Sequence, residues 1–308
     1  MAKRGVGALA VAIAVIALSA ALGFAGVAED PSLGDDFTGN AGKLRYAQDA
    51  VLADAGAGLA GCGSGPHRLI GGGMAVGGPA NESFLGGARG YEYPQGGGDP
   101  DAGWYALAEG PPGTAVSATA ICRKGGKLRY LQEEIPTNGT QLRSGEIDCG
   151  GRKWQVTTGS AFLSTFSSWV HSSYPVDDGD RKRVPDDGWA VRVFTQSVGG
   201  AFVHAICAKK LDLRYKQRAA STIGTTSVSD RTENRDVSCG KRRNVVGGGA
   251  DVSGLINRGR LLVTAPVDSG DRGDTPDDRW HVTAYNLGGS STTMKPFAIC
   301  LQKKRKKG

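Results

Sequence analysis

The chain has 308 residues, with 37 Lys and Arg against 30 Asp and Glu, a formal net charge of +7. Lys3 and Arg4 precede an apolar N-terminal run and five more cations form "KKRKK" at 303–307, so the body between is neutral and lacks the charge of a nucleic-acid binder. With 49 Gly, 7% aromatic residues and, beyond the N-terminal run, no window with a 3.6-residue apolar stripe, the composition excludes a helical bundle and predicts short strands divided by glycine-rich turns.

The stretch "MAKRGVGALAVAIAVIALSAALGFAGVAED" has the charged start, apolar middle and small-residue end of a secretory signal. Residues 1–28 are expected to be removed, with cleavage after Ala25 or retention as an anchor as the competing readings. No second apolar stretch of membrane length follows, so an exported protein without a transmembrane segment after signal removal is expected. Residues 29–42, "EDPSLGDDFTGNAG", show no periodicity and read as a linker.

From there the chain repeats. "KLRYAQ" at 43–48, "KLRYLQ" at 127–132 and "LRYKQ" at 213–217 alternate apolar and polar residues as half-buried strands do. Each opens a unit that continues through a Cys (Cys62, Cys149, Cys239) and a strand holding "GGG" or "TTG". An outer strand ending at Pro94, Pro175 or Pro266 follows, then an acidic loop, a Trp strand (Trp104, Trp189, Trp280) and a closing "AIC" at Cys122, Cys207 or Cys300. The units are placed at 43–126, 127–210 and 211–302, with a basic tail at 303–308. A triple glycine inside a strand predicts a bulge or a close backbone approach.

Six cysteines in an exported chain read as disulfides. The repeat admits two schemes: the same bridge inside every unit, Cys62–Cys122, Cys149–Cys207 and Cys239–Cys300, or bridges between neighbours that leave Cys62 and Cys300 an odd pair. The first gives equivalent units equivalent closures and is expected. Closing a loop of about 60 residues removes roughly 4 kcal/mol of unfolded-state entropy in the chain-entropy model. The Trp of each unit stands one strand before the second Cys and is expected in the core, the competing reading being an exposed sugar-stacking platform. Trp154 and Trp169, found in unit 2 alone, are with Tyr174 the candidates for an exposed ligand-binding surface.

The acidic loops carry Asp177, Asp180 and Asp187 in unit 2 and Asp268, Asp271 and Asp278 in unit 3. Calcium takes six to eight such oxygens, so these are weak calcium candidates; the interleaved Arg and Lys make a salt-bridged loop the competing reading. No other cofactor is expected. "RGD" at 272–274 occurs in unit 3 only. The four histidines, His67, His171, His204 and His281, have no counterparts between units, and no HExxH or GxSxG motif is present. No catalytic residue is assigned, and an enzyme would need a site assembled between units.

The succession Cys, "VVGGGA", Pro-Asp loop, "PDDGW" and "AIC" resembles a β repeat of largely uncharacterised secreted proteins of high-GC Gram-positive bacteria, matching residues 43–302 and best in unit 3. The resemblance implies export, β structure and disulfides, and carries over no active site. The fold expected is all-β: three tandem disulfide-stapled sandwich-like repeats, or alternatively a single pseudo-threefold prism. The function expected is that of a non-catalytic binding or structural protein at or outside the cell surface. Its partners would be a cell-wall polymer, glycan or surface protein and no specific nucleic acid. A carbohydrate-binding lectin and a secreted hydrolase with an inter-repeat site are the alternatives.

Overall fold

The computed structural model describes residues 44–52, 55–63, 66–91, 102–151, 153–165, 167–177, 184–196, 198–241, 243–253, 259–268 and 278–302. The signal, linker and basic tail, "RGD", Asp180, Asp271 and Pro94 lie outside them. The described chain is all strand and connection. Unit 1 holds β1 (Leu44–Leu52), β2 (Ala55–Gly61), β3 (His67–Gly77), β4 (Phe84–Tyr91), β5 (Gly103–Glu109) and β6 (Ala115–Lys124). Unit 2 repeats the order as β7 (Lys127–Ile135), β8 (Gln141–Asp148), β9 (Trp154–Leu163), β10 (Trp169–Val176), β11 (Gly188–Thr195) and β12 (Ala201–Lys209). Unit 3 splits its first strand into β13 (Leu213–Gln217) and β14 (Ser221–Ile223), then runs β15 (Thr232–Ser238), β16 (Arg243–Ser253), β17 (Gly259–Val267), β18 (Arg279–Asn286) and β19 (Thr292–Gln302).

Within a unit the strands form two three-stranded halves. One joins the "LRY", "AIC" and glycine strands, β1-β6-β3 in unit 1; the other joins the first-Cys, Trp and outer strands, β2-β5-β4. A disulfide ties the halves together: Cys62–Cys122, Cys149–Cys207 and Cys239–Cys300, with Cα separations of 5.6, 5.7 and 5.5 Å. The cysteine of each first-Cys strand donates its amide to the carbonyl two residues before the Trp, Ala102, Asp187 or Asp278. The residue opening the Trp strand is thereby anchored beside the bridge.

The units are not separate beads. Each glycine half continues into the outer-strand half of a neighbour, giving the six-stranded sheets β1-β6-β3-β17-β18-β15 and β2-β5-β4-β9-β12-β7, and a third, β13-β19-β16-β10-β11-β8, to which β14 adds. Unit 1 thus joins unit 3, unit 3 joins unit 2, and unit 2 joins unit 1, closing a pseudo-threefold ring of sandwich-like units. The all-β class expected from sequence is borne out.

The recurring phrases fit this closure. The "LRY" tyrosines cross to the neighbouring unit: Tyr46 Oη donates to Val245 O (2.7 Å), Tyr130 Oη to Leu69 O (2.8 Å) and Tyr215 Oη to Val156 O (2.7 Å). The acceptors are the residues paired with the second cysteines, next to a bulge in each ladder. At the bulges the units touch backbone to backbone. A Cβ on Gly71 would lie 1.7 Å from Val246 O, and one on Gly247 would lie 2.0 Å from Thr157 O. Unit 2 has Thr158 at the matching position and meets unit 1 through a hydroxyl instead, Thr157 Oγ1 donating to Ile70 O at 2.6 Å. The next glycine carries the Trp: the indoles of Trp104, Trp189 and Trp280 lie against Gly72, Gly159 and Gly248, where a Cβ would come within 2.3, 2.3 and 2.5 Å of the ring. All three rings are buried, and Val191 and Val193 are buried with Trp189 on its strand.

Candidate functional site

Each seam between units is short. β10 and β16 pair at Ser173↔Ala250, β17 and β3 at Val263↔Ala75 and Thr264↔Met74, and β4 and β9 at Gly87↔Phe162. What fills the space beside each pair differs. The register aligns Ala88, Ser173 and Thr264 through their ladder partners two residues after each Trp, and aligns Gly90, Pro175 and Pro266 through their pairing with the Trp itself. The counterpart of the two prolines is therefore Gly90 and not Pro94.

These exchanges change the chemistry around the indole. Trp189 Nε1 donates to Ser173 Oγ and Trp280 Nε1 to Thr264 Oγ1, each at 2.9 Å. In unit 1 the hydroxyl is replaced by the methyl of Ala88, and Trp104 Nε1–H is buried without a hydrogen-bond partner among the described residues. Leaving such a donor unmatched costs about 1–3 kcal/mol. The third glycine also matters. A Cβ on Gly73 would meet Ala265 Cα at 2.7 Å and one on Gly249 would meet Ser173 O at 1.9 Å, so at those seams the outer strand lies directly on the glycine. Unit 2 carries Ser160 there, and the close approach is made at Gly87 of β4, where a Cβ would come within 2.2 Å of Ala161 O.

The result is a cleft of about 290 Å³ where β4 parts from β9, close to the lower end of small-molecule pockets. Unit 1 contributes Arg89, Gly90, Tyr91 and Trp104; unit 2 contributes Tyr130, Leu131, Gln132, Gly159, His204, Ala205 and Ile206. His204 Nε2 is buried without a partner among the described residues. Burial, and then the charge of Arg89, pull its pKa down to about 4, so the ring is neutral at pH 7. Arg89 is exposed and lies over the Phe162 ring, 4.4 Å from its centroid, with no ion pair among the described residues. The wall thus offers an exposed guanidinium and an exposed amide, Arg89 and Gln132, between apolar surfaces, and no carboxylate among the described residues.

The aromatic residues singled out from sequence are elsewhere and apart. Trp154 is half-buried under Arg129, whose guanidinium carbon is 4.0 Å from the ring centroid. Trp169 is not exposed, as expected, but buried: it stacks on Phe194 at 4.3 Å, meets Phe84 edge-on, and donates Nε1–H to Gly259 O. The length of β9, about 30 Å at 3.3 Å per residue, separates Trp154 from the turn that Trp169 follows. Tyr174 is half-buried, stacked on Phe297 with Arg192 over its ring, and desolvation raises its pKa. None of the three lines the cleft.

Of the calcium candidates, Asp177, Asp187, Asp268 and Asp278 are described, and no three metal-ligating side chains gather among the described residues. The cleft residues were missed because they are marked by exceptions, Ala88, Gly90 and Ser160, at positions where the other units agree; aligning the units strand by strand would have shown them.

No protein-family model and no curated protein matches the chain. Among solved structures it is similar to one described as the triple jelly roll fold and turret assembly in an archaeal virus, at 11% identity over 87% of this chain and 84% of that one, with a TM-score of 0.19. A superposition that loose bears on nothing that follows.

Proposed function

We propose that the chain is an exported binding protein of the secreted β-repeat type it resembles, acting at or outside the cell surface, with its ligand in the cleft between units 1 and 2. Support for export comes from the signal-like residues 1–28 and from three formed disulfides, which persist in oxidising compartments. Among the described residues no helix is long and apolar enough to cross a membrane.

The observation that carries the binding role is the contrast at Trp104. Two of three equivalent indoles have a protein acceptor, and the third, its N–H buried and unmatched, belongs to a residue in the wall of a cleft that its own unit and a neighbour form. Gly90→Pro tests it, since proline already occupies the equivalent rung in units 2 and 3. The variant is expected to melt like the parent and to lose binding to whatever a glycan array and a panel of cell-wall polymers retrieve with the wild type. Binding that survives Gly90→Pro places the ligand elsewhere and overturns the assignment.

A further inference from the structure

We infer that Asn138 is a modification site at which the folded chain acts on itself. The Asn138-Gly139 turn between β7 and β8 converts its side-chain amide to aspartate and isoaspartate without an enzyme, and Arg143 assists the reaction. The site shares no residue with the cleft.

The sequence supplies the reacting pair. Asn138 is the one asparagine of the chain that a glycine follows; Asn81, Asn234 and Asn286 precede Glu82, Arg235 and Leu287. A side chain on the following residue hinders its own backbone nitrogen from approaching the amide, and Gly139 has none. A Cβ there would meet nothing within 4 Å, so that flank of the turn is open, and its φ of +108° is one that glycine adopts readily. Asn138 is exposed. β7 and β8 belong to different sheets, so no ladder closes the turn, and the Gly139 N–H has no hydrogen-bond partner among the described residues. It can therefore give its proton to a solvent base.

The surroundings then orient the amide. Thr137 Oγ1 donates to Gly199 O, Thr195 Oγ1 to Gly139 O at 2.9 Å and Thr140 Oγ1 to Gln196 O at 3.2 Å, which hold the backbone on both sides of Asn138. Gln141 Nε2 and Arg143 Nη2 both donate to Asn138 Oδ1. Arg143 has no ion pair among the described residues, so its charge faces the oxygen on which negative charge develops when the amide carbon is attacked. The steps balance without a redox partner. Deprotonated Gly139 N bonds to Asn138 Cγ and closes a succinimide ring; the Cγ–Nδ2 bond breaks, and the nitrogen takes a proton and leaves as ammonia. Water adds to either imide carbonyl and the ring C–N bond there breaks, giving aspartate or isoaspartate.

The test is peptide mapping by mass spectrometry of the disulfide-intact chain held at mildly alkaline pH, with an isoaspartyl methyltransferase assay to count isoaspartate. Cleavage after Glu134 and Glu146 isolates residues 135–146, in which Asn138 is the single asparagine. Asn138 is expected to convert, faster as pH rises, while Asn81, Asn234 and Asn286 stay intact. Arg143→Gln should slow conversion about tenfold in the folded chain, less than the loss of a buried oxyanion donor because this turn is exposed. Arg143→Lys keeps the charge and should recover most of the rate. In urea with the bridges reduced, parent and Arg143→Gln should convert equally, since both then present only the Asn-Gly sequence. An Asn138 that stays intact in the folded chain while it converts in urea overturns the inference. So does an Arg143→Gln chain that melts like the parent and converts at the parent's rate.

Discussion

The seam between units 2 and 3 and the seam between units 1 and 2 use equivalent strands in the same register, yet their side chains differ and a cleft lies beside the second. At the filled seam Ser173 takes the Trp189 N–H, Tyr174 stacks on Phe297, Pro175 pairs with Trp189, and Arg192 meets Asp251. At the open seam the corresponding outer-strand residues are Ala88, Arg89 and Gly90, and Ser160 replaces the glycine that would admit them. A repeated framework held by bridges, tyrosines and glycines tolerates such exchanges, because the seams pair through backbone groups that do not depend on the side chain. Specialisation is added at one seam while the core stays common.

The broadest way to break this comparison is to remove a common element. Trp189→Ala deletes a fully buried indole at the closed seam and is expected to cost about 3–5 kcal/mol in chemical denaturation. A loss under about 0.5 kcal/mol, typical of a surface position, would show that the indoles are not core.

Acid should act through a buried histidine at each of these two seams. His171, the bulge residue of β10, and His204 both have pKa values pulled to about 4, chiefly by burial and further by Arg192 and Arg89 respectively. The ordinary value of 6.5 lies above the folded one, so between pH 6.5 and 4 the unfolded chain takes up protons the folded chain refuses. Each histidine then withdraws about 1.4 kcal/mol per pH unit as pH falls through that window, and nothing above it. Urea midpoints at pH 7, 5.5 and 4.5 should fall accordingly. His171→Leu, which copies the bulge residue Leu262 of β17, should remove one share of the fall. A variant as acid-sensitive as the parent would show that His171 does not titrate there.

The finest comparison exchanges one oxygen. Ser173→Ala turns Trp189 into a copy of Trp104 and should cost about 1–3 kcal/mol, whereas Ala88→Ser should stabilise by about 0.5–1 kcal/mol. If both variants match the parent in urea, the unmatched N–H is not what distinguishes the seams.

The sequence by itself determined the local and periodic part of this protein. Two-residue alternation gave the strands, and two cysteines in each recurring stretch left one scheme that treats all of them alike, the one the bridges follow. "PDDGW" marks a buried Trp because a large apolar ring placed identically in three units serves each unit's own interior. Only the tertiary structure decided how the units join and where the candidate site lies. Tyr46 reaches Val245 across 199 positions and Thr157 reaches Ile70 across 87, contacts that no local pattern signals. Trp169 could not be told from an exposed aromatic because the surfaces covering it, Phe84 and Gly259, belong to the other two units. The cleft arises likewise from side chains on β4, β5, β7, β9 and β12 that are unremarkable one at a time. Burial and hydrogen-bond satisfaction are properties of a closed surface, and here that surface exists only once the ring has formed.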